Sequence, residues 1–418
     1  MMKKFSFIIV ALLLVLTACS NSENSSGSSS GNVTLKYWIW DKNQLPAMQD
    51  IAKEFEKKHP KINVKIEVTP WEQYWSKLET AATGNSLPDV FWMNGPNIVK
   101  YASNHMLLPI NDQIKKDNVD LSNYPKALVD LYTVEGKHYG LPKDFDTIGL
   151  WYNKKLFDEA KVPYPDETWD WAKLKEAAKK LTNPSKGVWG IAAAMENQSN
   201  YYNTIFQNGG TVISDDMKKS GYDSPETIEG LKFWTDLIKD KVSPTQAQMT
   251  ETKPNNLFES GKVAMMFAGS WMQIEFAQND YTKDKVDVTV LPKGKKRAVV
   301  IHGLTSVISA NTPHKKEAWE FVKYLGSKEA ALIQAKTGTQ IPAYNGTQKD
   351  WVESNKKFNL QVFIDSAKYA TPLPISKDTS KWWDLETEYF KKAWGQEMRP
   401  EQAAKEVAKK MNELLSKE

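Results

Sequence analysis

Sixteen tryptophans stand in this 418-residue chain, and several sit directly beside short acidic or amide residues. That pairing has a chemistry. A pyranose ring shows C–H groups on its face and hydroxyls at its rim. An aromatic ring packs on the face, its negative π surface meeting weakly positive C–H, while carboxylates, amides and indole N–H groups take the rim. The candidate clusters are Trp40-Asp41-Lys42-Asn43, Asn94-Gly95-Pro96, Gly269-Ser270-Trp271 and the pair Trp382 and Trp383. Gly269 would let the backbone approach a ligand closely. Adjacent residues point in different directions, so at most one of Trp382 and Trp383 can serve. Asp144 and Asp146 lie two apart in an extended segment and should point to one side. Two carboxylates there repel unless a diol or a cation bridges them. Each candidate has a plainer reading: Trp40 as core, Asn94 as a helix cap, the two aspartates as solvated residues, and the lone His302 as structural.

Other chemistries find less support. Five histidines form no His-Glu-x-x-His and have no cysteine partner, so a zinc site is not expected and no cofactor is assigned. No Gly-x-x-x-x-Gly-Lys-Ser/Thr loop is present, so the chain itself does not take ATP. The rival class is a glycoside hydrolase, which needs two carboxyl groups about 5.5 Å or roughly 6.5–9.5 Å apart, one with a raised pKa. A lipid-anchored carbohydrate adhesin is a third reading. The net charge is +4, and +2 once Lys3 and Lys4 are removed with a leader, so nothing draws in nucleic acid. The basic run Lys293-Gly-Lys-Lys-Arg297 reads as a solvated turn.

The one cysteine, Cys19, cannot form an internal disulfide. It follows a basic start at Lys3 and Lys4, an apolar stretch Phe5 to Leu16 too short to span a bilayer, and the small residues Thr17 and Ala18. Leu16-Thr17-Ala18-Cys19 resembles the lipobox of lipoprotein signal peptidase. Residues 1–18 are therefore expected to be a signal peptide, and Cys19 to carry the lipid. The tract Ser20 to Asn32 has nothing to bury and reads as a flexible tether reaching roughly 20 Å.

The remaining ~385 residues exceed what one hydrophobic core usually serves, so two lobes are expected. Val33 to Trp40 reads as a strand, and Pro46 opens a helix with Ala47, Met48, Ile51, Ala52 and Phe55 on one face. Ile62, Val64, Ile66 and Val68 alternate as a half-buried strand. A helix from Trp71 to about Thr83 and a strand from Asp89 to Met93 continue the alternation, which predicts an α/β fold with a parallel sheet. Thr168, Ser224 and Thr312 are predicted helix caps. The last helix follows Pro400, with Ala403, Ala404, Val407, Met411 and Leu414 inward.

In order and spacing, the chain resembles the extracellular solute-binding proteins of ABC sugar importers, the maltose-binding-protein-like family. The likeness runs through Leu35-Lys-Tyr-Trp-Ile-Trp40, Leu87-Pro-Asp-Val-Phe-Trp-Met-Asn94, Tyr139-Gly-Leu-Pro142, Leu150-Trp-Tyr-Asn-Lys154 and Thr168-Trp-Asp-Trp171. It continues through Asn208-Gly-Gly210, Ala268-Gly-Ser-Trp271, Val290-Leu-Pro292, Leu304-Thr-Ser-Val-Ile-Ser309 and Lys316-Glu-Ala-Trp-Glu-Phe321. The resemblance implies two α/β lobes of the periplasmic-binding-protein type, with a cleft between them and a hinge crossed three times. The crossings would fall near Pro142 to Asp146, Val290 to Lys293 and Ala343 to Gly346. One lobe would then hold residues 33–143 with 293–344, and the other 144–292 with 345–418. The ligand set it implies is Trp40, Asp41, Asn43, Asn94, Asp144, Asp146, Glu196, Tyr201, Gly269, Trp271 and Trp382, with Asp146 favoured over Asp144 and Tyr202 beside Tyr201. The implied function is non-enzymatic binding of a carbohydrate, an oligosaccharide by the abundance of tryptophan. Delivery would be to the permease of an ABC transporter by a monomer anchored through lipid to the outer face of the cytoplasmic membrane.

Overall fold

The computed structural model describes residues 32–418, so Cys19, the leader before it and the tether up to Gly31 lie outside the described residues. The alternating run Val33–Ile39 forms a strand with Leu35, Tyr37 and Ile39 turned inward, because every second side chain of a strand falls on one face. It pairs in parallel with Ile62–Val68 and with Val90–Asn94. Between the first two strands, the helix Leu45–Lys58 buries Ala47, Met48, Ile51, Ala52 and Phe55, the face its periodicity predicted. Trp71–Thr83 is likewise a helix.

Leu304–Ile308 and Gly140–Pro142 complete this first sheet. Leu304–Ile308 runs antiparallel to both neighbours, so the sheet is mixed where the sequence pattern predicted a parallel one. The strand enters from the second lobe through a short link, without the helical crossover a parallel neighbour requires. The second lobe is built on a smaller sheet in which Ile148–Asn153 runs antiparallel to Val286–Thr289 and Met265–Gly269. Ile148–Asn153 and Met265–Gly269 are buried throughout. Helices Pro225–Lys239, Thr379–Trp394 and Pro400–Leu415 pack on one another in this lobe. Leu415 is buried in the last of them, while Leu414, expected inward, is half-buried.

Between the lobes, Asp144–Phe145 pairs with Ile341–Pro342, and Asp146 bridges His302. Three chain segments thus pass side by side. Residues 293–301 do not join the first lobe: Lys293 bridges Asp170, the Val300 N–H donates to Asn203 Oδ1 at 2.8 Å, and Val299–Ile301 pairs with Ala370–Pro372. Those hydrogen bonds hold the segment to the second lobe until the chain turns at His302.

Two caps also differ. The helix Trp171–Leu181 is capped by Asp170, which accepts from the Lys173 N–H, whereas Thr168 bonds Asp166. Thr312 is not the cap of the next helix, which starts at Lys315 without a side-chain cap; its hydroxyl accepts from the His314 N–H at 3.0 Å and donates to the buried Asp89. Ser224 caps Pro225–Lys239 as expected.

Candidate ligand-binding site

A cavity of about 660 Å3 opens between the lobes, where Trp40 follows the first strand, Asn94 ends the third and Trp271 follows Met265–Gly269. Crevices at strand ends and between domains are where α/β proteins bind ligands. Trp40, Asp41, Asn43, Asn94, Asp146, Glu196, Tyr201 and Trp271, all predicted, line it. Asp144, Gly269 and Trp382 do not.

The first-lobe wall is an aromatic block. Trp40 meets Trp71, Tyr74 and Trp92 edge to face, with ring centroids 5.3, 5.0 and 5.0 Å away. The buried members are tied down: Tyr74 donates to the Trp92 carbonyl at 2.9 Å, and Trp92 Nε1 donates to the Tyr37 hydroxyl at 2.6 Å. Trp40 and Trp71 turn toward the cavity, Trp71 remaining 44% exposed. Beside them, Asp41 accepts from the Asn43 N–H at 2.8 Å and from Gln44 Nε2 at 3.0 Å. Burial nonetheless raises its pKa. Asn94 occupies the start of the helix Gly95–Ser103 but makes no side-chain cap bond. Its Oδ1 accepts from Asn97 Nδ2 at 2.9 Å.

The second-lobe wall is organised around a carboxylate the sequence reading missed. Glu386, 1% exposed, accepts from the hydroxyls of Tyr201 at 2.7 Å, Tyr202 at 2.8 Å and Tyr222. Trp383 Nε1 in turn donates to the Tyr202 hydroxyl at 3.0 Å. Tyr201 sits in a widened turn, Asn197–Tyr201, closed by a bond from its N–H to the Glu196 carbonyl. Such i to i+5 turns recur at functional sites. Burial pushes the Glu386 carboxyl up to about 7, against the opposing pull of the tyrosine hydrogen bonds.

The three predicted residues that miss the cavity have physical reasons. Asp144 is buried with Lys143 as an ion pair and accepts from the Leu304 N–H at 2.9 Å, so its lone pairs are used internally. Trp382 is fully buried and donates to Ser376 Oγ at 2.9 Å; Trp383 faces the cavity instead. Gly269 lies under the Trp271 ring, where any Cβ would collide with the indole.

At the hinge, Asp146 accepts from Gln198 Nε2 at 2.6 Å, and His302 Nδ1 stands 3.9 Å from its Oδ2. His302 Nε2 accepts from the Gly95 N–H at 3.1 Å, which leaves Nδ1 to face Asp146 as the donor nitrogen. Burial raises the Asp146 pKa, with His302 opposing. Glu196 is open to the cavity yet enclosed by its walls, and that enclosure raises its pKa. At the rim, Lys253 of the second lobe pairs with Glu72 of the first at 2.5 Å. Trp71, Gln198, Glu275, Gln340 and Glu386 are lining residues that the sequence reading did not name. Among the described residues, no three histidine, cysteine or acidic side chains are grouped to hold a metal. No described helix is long and apolar enough to cross a membrane.

A family model described as bacterial extracellular solute-binding protein matches residues 41–332. The galactooligosaccharide-binding protein of Bacillus subtilis is 24% identical over 395 residues, 92% of this chain and 90% of that protein. The maltooligosaccharide ABC transporter solute-binding lipoprotein of Streptococcus pneumoniae is 24% identical over 390 residues, 90% of this chain and 88% of that one. Among solved structures, an ABC substrate-binding protein from Listeria monocytogenes in complex with cycloalternan superposes with a TM-score of 0.87. It is 28% identical and covers 92% of this chain and 99% of that one.

Proposed function

From a chain that belongs to the bacterial extracellular solute-binding proteins, we propose a receptor that binds a carbohydrate between its two lobes and delivers it to the permease of an ABC importer. The observation that carries this reading is one cavity holding aromatic faces on both walls, Trp40 and Trp71 opposite Tyr201, Trp271 and Trp383, with carboxylates and amides between them. Flat apolar platforms beside charged acceptors suit a ring that is C–H on its face and hydroxyl at its edge. The volume lies within the ~300–1,000 Å3 usual for small-molecule sites. Together with platforms on two walls, it favours an oligosaccharide. The ligand set we propose is Trp40, Asp41, Asn43, Asn94, Asp146, Glu196, Tyr201, Trp271 and Trp383.

The lobes we propose divide at the hinge strands, with the middle crossing at 301–304 instead of 290–293. A sugar that touches both walls favours the closed form by its differential affinity for that state. We propose that the protein acts as a monomer. Cys19 we assign as the lipid attachment point on the outer face of the cytoplasmic membrane; the lipoprotein named in Streptococcus pneumoniae supports this. One acyl chain binds a bilayer marginally, whereas two or more hold stably.

The test is a titration of protein lacking residues 1–19 with a broad panel of mono- and oligosaccharides, following tryptophan fluorescence and product release. Saturable binding without release is expected. Release of shorter sugars would establish a hydrolase, and silence across the panel would remove the carbohydrate reading.

A further inference from the structure

Among the described residues, six carboxyl groups line the cavity, those of Asp41, Glu72, Asp146, Glu196, Glu275 and Glu386, and no lysine or arginine does. The two ammonium groups that stand beside lining residues are already engaged. Lys253 pairs with Glu72 at the rim. Lys143 is buried behind Gln44 with Asp144 and the Trp92 ring. Gln340 lines the same cavity and is 5% exposed, and its buried Oε1 has no hydrogen-bond donor from the protein. Glu275 has Asn255 Nδ2 at 3.0 Å and a second carboxyl, Glu259, at hydrogen-bonding reach. The crowding pushes Glu259 up to about 7, with burial the larger cause and Glu275 the next. The site therefore sets six carboxyl groups against no lining lysine or arginine, inside walls that exclude much of the water that would screen a charge.

We infer that the cavity is a charge filter, which favours an oligosaccharide bearing a protonated amino group over its neutral counterpart and rejects sugars carrying carboxylate, sulfate or phosphate. An ammonium has three donors and no acceptor, the complement of what Glu196, Glu275 and Gln340 present. An anionic substituent meets carboxyl groups around it and finds no lining lysine or arginine to receive it. The inference rests on the carbohydrate reading above and sharpens its ligand class.

The test uses trimers on two backbones, α-1,4-gluco and β-1,4-gluco, each supplied as the neutral sugar, the glucosamine form and the glucuronate form. Protein lacking residues 1–19 is titrated calorimetrically at pH 6, where the amines are protonated, at low and high salt. On the backbone that binds, the glucosamine trimer is expected to bind about tenfold tighter than the neutral one at low salt, a margin that narrows at high salt. The glucuronate trimer should give no saturable heat. Glu196→Gln keeps the side chain's shape and removes one charge, so the amine preference should fall with the melting temperature unchanged. A glucosamine trimer that gains nothing over the neutral sugar, or a glucuronate trimer that matches it, overturns the filter and leaves the carbohydrate reading standing. Silence from both series overturns the filter; silence across the broad panel as well removes the carbohydrate reading with it. An amine preference that survives Glu196→Gln at full strength overturns the part assigned to that residue.

Discussion

The two walls of the cavity use the same kind of side chain in opposite ways. On the first lobe, Trp40 is held by packing against Tyr74, Trp75 and Trp92. On the second, Tyr201 and Trp383 are held by hydrogen bonds that converge, directly or through Tyr202, on Glu386. A wall held by packing is indifferent to pH. A wall hung on a buried carboxylate is not, because three hydroxyls can all donate to Glu386 only while it is ionised. If Glu386 takes a proton, its own O–H needs an acceptor and one tyrosine must turn.

The largest effect expected from breaking this contrast is that of Glu386→Ala. It strands three buried hydroxyls and should cost about 3 kcal/mol or more, read by chemical denaturation. Glu386→Gln isolates the charge. In the folded chain Glu386 titrates at about 7 against an ordinary value of 4.5, so the folded state holds the extra proton between those values. Its contribution to stability then falls as pH rises from about 4.5 to 7 and stays low above. Glu386→Gln should remove that slope. A variant with the parent's pH dependence would show that Glu386 does not titrate there.

Next comes the pair that sits side by side on Thr379–Trp394. Trp382→Ala should destabilise by about 3–5 kcal/mol with little change in ligand affinity, since the ring is core. Trp383→Ala should melt near the parent and lose about tenfold in affinity. Exchanged outcomes would reverse the orientation of the helix. Gly269→Ala should reproduce the binding loss of Trp271→Ala while touching no ligand itself, because the added methyl displaces the indole. If affinity holds while stability drops, Trp271 is a core residue. The smallest effect belongs to the rim: Lys253→Ala breaks an exposed pair, so affinity should fall less than about threefold and recover nothing further at high salt.

How far the fold could be read from the sequence follows from the range of the forces that set it. Strands such as Ile62–Val68 and helices such as Leu45–Lys58 carry their own period, so they were legible. The caps were not: Asp166, Thr168 and Asp170 can each cap a helix, and only the path of the chain selects Asp170. Nor was the pairing of Val299–Ile301 with Ala370–Pro372, because the partner strand lies about seventy residues away in sequence. For the site, the contiguous Trp40-Asp41-Lys42-Asn43 is legible because the chemistry is local. Glu386 was passed over because its tyrosine partners stand at 201, 202 and 222. A signal existed, however. Trp382, Glu386, Phe390, Ala393 and Trp394 form one buried helical stripe, and a glutamate in such a stripe marks a buried polar hub. The same stripe would have sent Trp382 to the core and left Trp383 for the cavity.

That a carbohydrate is held between the two walls is tested most directly by titrating the tightest-binding sugar of the panel into the parent protein, Trp71→Ala and Trp383→Ala, with melting curves alongside. One variant falls on each wall, and both residues line the cavity without being fully buried. Affinity should drop about tenfold in each variant while melting stays near that of the parent. If either variant binds like the parent, the ligand does not bridge the walls.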